Sequence, residues 1–221
     1  MGSKKLRVVV LISGNGSNLQ ILIDKISNGE IEAEIAGVIS NKADAFGLQR
    51  AHSAGVSTSV LDNKQYPDRE SYDAALQKCI DDYQAGLVVL AGFMRILTAN
   101  FVNHYLGRMI NIHPSLLPKY RGLNTHQRAL EAKENYHGAS VHFVTPELDG
   151  GPVILQSRVK VAETDTVETL ANKVHVEEYK IYPLVVSWFA QNRLSLQGDT
   201  VILDQQELNK GLLLEQIENC D

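Results

Sequence analysis

Apolar positions along this chain follow two rhythms. Unbroken, β-branched runs at residues 6–13 (LRVVVLIS), 33–40 and 87–91 (LVVLA) predict strands covered on both faces. Between them the apolar residues recur at helical spacing. Leu19, Leu22, Ile23 and Ile26 mark one helix, a second spans 46–54 and closes on Gly55, and Asp68 caps a third. That third helix carries the stripe Tyr72, Ala75, Leu76, Cys79, Ile80 and Tyr83. Residues 56–61 read as an edge strand, 99–105 as a short helix, 109–113 as a strand and 125–132 as a helix. Residues 139–145 and 152–161 are strands whose short connection implies an antiparallel hairpin. Asp165 and Glu168 resemble a capping box opening a long helix, with Leu170, Val174, Ile181, Leu184, Val185 and Trp188 on its apolar face and a kink at Pro183. Residues 194–221 hold short strand-like pieces (LSLQ, TVILD) and a polar end without evident chemistry.

Strand and helix therefore alternate, which predicts an α/β fold: a mostly parallel, mixed sheet with helices on both faces and one antiparallel hairpin. Nothing repeats internally and no linker divides the chain, so residues 1–221 read as a single domain. Composition is ordinary for a globular protein, 44% hydrophobic and 21% charged. The net charge of −5 and the lack of a basic tract argue against a nucleic-acid partner. Cys79 and Cys220 form neither a disulfide framework nor a metal cluster, which points to a reducing, cytoplasmic setting. No apolar run reaches membrane-spanning length and no signal peptide is visible. The opening Met1-Gly2-Ser3-Lys4-Lys5-Leu6 lacks the Ser or Thr of a myristoylation signal.

Candidate chemistry gathers around MINIHPSLLP, residues 109–118. On a strand, Asn111 and His113 share a face, and Pro114 stops the strand just beyond them. An amide and an imidazole then stand at the carboxyl edge of the sheet, where ligands of open α/β sheets bind. The competing reading is a buried histidine with a structural partner. Gly14-Asn15-Gly16-Ser17-Asn18 follows the first strand. Ser17 or Asn18 can cap the next helix, whose free N–H groups attract an anion such as phosphate, although GNGSN is neither a complete dinucleotide fingerprint nor a Walker A loop. Arg95 lies in an apolar segment and reads locally as a snorkelling surface residue sooner than as a pocket wall. Asp149, in an Asp-Gly-Gly connection, reads locally as turn chemistry. Glu178 falls on the apolar stripe of the long helix, so it must be paired, liganded or at a wet margin; a structural ion pair is the plain alternative.

Taken together, SGNGSNLQ, SNKADAFGL, VVLAGFMRIL, NIHPSLLP, HGASVHFV, ELDGGPVI and EEYKIYPLVVSWF resemble the glycinamide ribonucleotide (GAR) formyltransferases of purine synthesis, over residues 6 to about 203. The resemblance implies a Rossmann-like formyltransferase fold. It also implies transfer of a formyl group from 10-formyltetrahydrofolate to the amine of GAR, without a metal. It assigns catalysis to Asn111, His113 and Asp149, phosphate binding to Gly16, Ser17 and Asn18, and the ribose hydroxyls to Glu178. The folate walls fall on Arg69, on Met94, Arg95, Ile96 and Leu97, and on Thr145, Pro146, Glu147, Leu148 and Asp149. It divides the chain into a phosphate-binding half, about 1–105, and a folate and catalytic half, about 106–203. The chain departs from the family pattern at His175 (commonly Gln), Pro146 (commonly Asp) and Arg121 (commonly Pro).

The implied chemistry suits these residues. An amine attacks a formamide carbon and negative charge develops on its oxygen, where Asn111 N–H and a protonated His113 can stabilise it. Asp149 favours the imidazolium and can orient a water that relays the proton. No acyl-enzyme is required, so Ser115 reads as structural. Three alternatives are a formyltetrahydrofolate hydrolase, a methionyl-tRNA formyltransferase and a non-catalytic nucleotide-binding module. The first two carry an extra domain for which this chain has no counterpart, and the third needs GNGSN but not the three polar residues together.

Overall fold

The computed structural model describes residues 5–218, so Cys220 and the opening four residues lie outside the described part. In chain order the elements are β1 (Leu6–Ile12), α1 (Ser17–Ser27), β2 (Ala33–Ser40), α2 (Phe46–Ser53), β3 (Thr58–Val60), α3 (Arg69–Asp82), β4 (Leu87–Leu90), α4 (Ala99–His104), β5 (Met109–His113) and α5 (Thr125–Glu131). They continue with β6 (Tyr136–Phe143), β7 (Val153–Lys160), α6 (Val167–Ala190), β8 (Leu194–Gln197), β9 (Thr200–Leu203), β10 (Gln206–Leu208), β11 (Leu212–Leu213) and α7 (Leu214–Glu218).

The main sheet has the order β3-β2-β1-β4-β5-β6-β7-β11. β1 to β5 run parallel, whereas β6 is antiparallel to both its neighbours. The uninterrupted apolar character of β1 has a direct cause. Val8, Val10 and Ile12 face a core completed by α1, α2 and α6, while Val9 and Leu11 face a second core completed by α3 and α4. Both faces are covered, so neither can be polar. The strand order reverses between β1 and β4, which opens a crevice at the carboxyl ends of the central strands. Buried Tyr182 of α6 closes the interior behind it, donating its hydroxyl to the carbonyl of Leu90 at 2.8 Å.

The capping expectation needs correction here. α6 is capped by Thr166 and Thr169, which satisfy each other's backbone N–H groups, and not by Asp165 with Glu168. Asp165 instead pairs with Lys173 at 2.6 Å. The long helix is present as expected, with Pro183 inside it. The strand-like pieces LSLQ and TVILD fall on β8 and β9, which with β10 form a small antiparallel sheet, and β11 adds a further, unexpected parallel strand beside β7. Among the described residues no helix is long and apolar enough to cross a membrane.

Candidate active site

β5 ends at His113, and alternation places Asn111 and His113 on one face. The His113 side chain is 7% exposed. Its Nε2 lies 2.9 Å from the carbonyl of Tyr120 and its Nδ1 3.4 Å from Asp149 Oδ2. Both neighbours are acceptors, so a doubly protonated ring can serve both and a neutral ring only one. Asp149 reaches this position from the β6–β7 connection, with φ of 47° in the left-handed region, and also accepts the Gly122 N–H at 2.9 Å. The local reading of Asp149 as turn chemistry is thus incomplete: it is a turn residue and also a carboxylate against an imidazole.

His142 is the residue that sequence reasoning missed. It is Asn111's direct partner in the β5–β6 ladder. Its Nε2 lies 3.2 Å from Asn111 Nδ2 and 3.7 Å from Asp149 Oδ1, and its Nδ1 lies 2.8 Å from the Phe143 carbonyl. Burial pushes its pKa down to about 4. The signal was available: once residues 139–145 are paired antiparallel to 109–113, a histidine falls opposite Asn111.

A cleft adjoins this cluster. Arg95, Ile96 and Leu97 line one side, Thr145, Pro146, Glu147, Leu148 and Asp149 another, with Leu90, Phe93, Val102, Asn111, His142 and Val144 completing it. Segments 95–97 and 145–149 are therefore brought together with Asn111. Arg95 is half-buried, its guanidinium 5.8 Å from the Tyr72 ring centre, and its Nε is buried without a hydrogen bond. It is a wall of the cleft, which overturns the snorkelling reading. Met94 is held by its backbone, whose N–H donates to Ser13 Oγ at 2.8 Å, and its side chain is exposed outside the lining. Arg69 also lies outside it, exposed at the first position of α3. Arg121 contacts Glu147 of the cleft wall. Ser115 donates to the Lys119 carbonyl at 2.6 Å, a structural role as expected.

The glycine turn forms a second subsite. Gly16, with φ of 71°, is the residue preceding α1, and no side chain caps the helix; the expected cap from Ser17 or Asn18 is not made. Both residues lie in the first turn of α1 instead, leaving its N–H groups available to an anion. Asn18 Nδ2 donates to Glu178 Oε2 at 2.8 Å, while Asn18 Oδ1 is buried without a partner. Glu178 is 5% exposed. No cation lies within ion-pair distance of it among the described residues, so the ion-pair reading gives way. Burial raises its pKa, opposed by the Asn18 hydrogen bond and by His175 one turn earlier. α2 grips the turn from outside: Gly47 N–H donates to the Gly14 carbonyl at 3.0 Å, and Arg50 donates to the carbonyl and side-chain oxygens of Asn15 at 2.9 and 3.0 Å.

Residues 6–186 match the formyl transferase family. The chain is 54% identical to the phosphoribosylglycinamide formyltransferase of Escherichia coli K12 over 203 residues, 92% of this chain and 96% of that protein. It is 46% identical to the human trifunctional purine biosynthetic protein adenosine-3 over 193 residues, 87% of this chain but 19% of that protein. Among solved structures, the phosphoribosylglycinamide formyltransferase of Coxiella burnetii superposes with a TM-score of 0.91 at 52% identity, covering 95% of this chain and all of the other.

Proposed function

The chain belongs to the formyltransferase family, among its phosphoribosylglycinamide formyltransferases, and from that premise we propose that Asn111, His113 and Asp149 carry its chemistry. The reaction moves a formyl group from 10-formyltetrahydrofolate to the amine of GAR, a step of purine biosynthesis. The observation that carries the assignment is that Asn111 and Asp149 line the cleft walled by 95–97 and 145–149, with His113 set 3.4 Å from Asp149.

Asn111 N–H donates to the formyl oxygen as it gains charge, and a protonated His113, its N–H groups facing Tyr120 and Asp149, stabilises that oxygen through its charge; one such preorganised group is typically worth about 10² to 10³ in rate. Asp149, at 3.4 Å, holds the charged imidazole and positions the proton that leaves the amine for the departing folate nitrogen. Arg95, Ile96, Leu97 and residues 145–149 embrace the folate. Gly16, Ser17 and Asn18 receive the phosphate on the start of α1, and Glu178 takes the ribose hydroxyls. One domain serves both substrates: the first half supplies the phosphate loop and one folate wall, the second half the catalytic residues and Glu178. We assign the enzyme to the cytosol, acting on small molecules, with a net charge of −5 unsuited to a nucleic-acid partner.

Kinetics with GAR or water as acceptor test the reading. Asp149→Asn and His113→Ala should each lower kcat for GAR formylation by about 10² to 10⁴ while GAR binding persists. Because the pair acts as a unit, the double change should cost far less than the product. Formyl release to water at the GAR-dependent rate would identify a hydrolase instead, and multiplicative losses would return Asp149 to turn chemistry.

A further inference from the structure

We infer that His142 is a positioning residue for formyl transfer: through a fixed hydrogen-bond chain it sets which end of the Asn111 amide faces the reacting group. The inference rests on the reading of Asn111 as a donor to the formyl oxygen. The chain begins at a backbone carbonyl. His142 Nδ1 lies 2.8 Å from the oxygen of Phe143, and a carbonyl only accepts, so Nδ1 carries the proton. In the neutral ring Nε2 is then left with a lone pair. That lone pair lies 3.2 Å from the Asn111 side chain, where an N–H is favoured and an amide oxygen would be repelled. One hydrogen of Nδ2 is committed to His142, and the second stays with a residue that lines the cleft.

Without this anchor the amide is free to turn over. An oxygen presented to a developing oxyanion opposes the reaction, whereas an N–H assists it. The backbone supports the arrangement, because Asn111 and His142 are direct cross-strand partners on adjacent strands. The arrangement also requires an uncharged ring. A second proton would turn Nε2 into a donor facing a donor and draw it towards Asp149 Oδ1, 3.7 Å away. Burial opposes that proton most strongly, aided by the nearby charges of His113 and Arg121 and resisted by the Phe143 carbonyl and Asp149.

His142→Leu removes the acceptor while keeping an apolar filling. It should lower kcat about 10- to 100-fold, less than or equal to the loss of an oxyanion donor, with both KM values held within about threefold. His142→Gln, whose Oε1 can accept from the same amide, should recover most of that loss. In an Asn111→Ala background, His142→Leu should add less than about threefold, because its only route of action is gone. A large Asn111→Ala loss that multiplies with His142→Leu would overturn this proposal alone. An Asn111→Ala loss under about tenfold would overturn the donor reading, and this proposal with it. Independently of activity, ¹⁵N spectra of histidine-labelled protein should show His142 as the neutral Nδ1–H tautomer near pH 7; an Nε2–H tautomer or an imidazolium there would overturn it.

Discussion

Glu178 shows how one residue was half legible. Its place on an apolar helical stripe announced that the carboxylate needed a reason, but helical spacing cannot reveal a partner 160 residues away. The partner is Asn18, through space, and it is neutral. That makes a sharp prediction. The Glu178 carboxyl holds its proton more tightly folded than unfolded, so its contribution to stability is full below the ordinary value of 4.5 and is lost as pH rises through the higher folded value. At neutral pH the charged group is a cost of folding. Glu178→Gln keeps an oxygen for Asn18 and removes the charge, so its melting temperature at pH 7–8 should equal or exceed wild type while GAR affinity falls. A substantial drop in melting temperature with normal GAR affinity would show a structural carboxylate instead. Arg95 and Asp149 were misjudged locally for a related reason. A single residue's surroundings depend on chain segments that return from elsewhere, Tyr72 for the one and His113 for the other.

At the scale of elements, most of the chain was readable, because two-sided apolar runs and one-sided helical stripes are direct images of burial. The capping details were less so. Asp68 caps α3 as its position suggests, its side chain accepting the Ser71 N–H at 2.7 Å. At α6 the neighbouring Thr166 takes that part, since Thr169 can answer it with a hydroxyl. Of the C-terminal strands, β10 and β11 were missed because they are three and two residues long, too short for alternation to be visible. The turn before α1 yields a prediction of its own. Gly16 has φ of 71°, and a Cβ there would lie 2.7 Å from the Cα of Gly47. Gly16→Val should therefore raise the GAR KM far more than the folate KM, and cost at least about 1–2 kcal/mol of stability from the left-handed backbone alone. Measuring both KM values on the fraction that remains folded separates the two effects. Equal rises would remove the phosphate from this turn.

For the whole molecule, acid is the natural denaturant. His137 and His142 are 1% and 2% exposed, and burial pushes each pKa from 6.5 down to about 4. The unfolded chain takes up these protons first, so stability is complete above about 6.5 and falls as pH drops towards 4. Each histidine should contribute a slope of up to about 1.4 kcal/mol per pH unit across that window. Denaturant midpoints measured from pH 7 to pH 5 should show the fall, and His142→Gln should remove about one proton's share of it. An unchanged slope in that variant would mean that His142 carries its proton in the folded state.

The grip of α2 on the glycine turn bears on how ligand binding is driven. Gly47 presses against Gly16, and Arg50 holds Asn15 by two oxygens, contacts that the protein makes with itself. A loop already frozen in its receptive shape has little conformational freedom left to surrender, so the phosphate end of the substrate meets a lock cut in advance. The folding reaction bears that ordering cost, and calorimetry on the phosphate-bearing substrate should record only a small entropic loss from the protein.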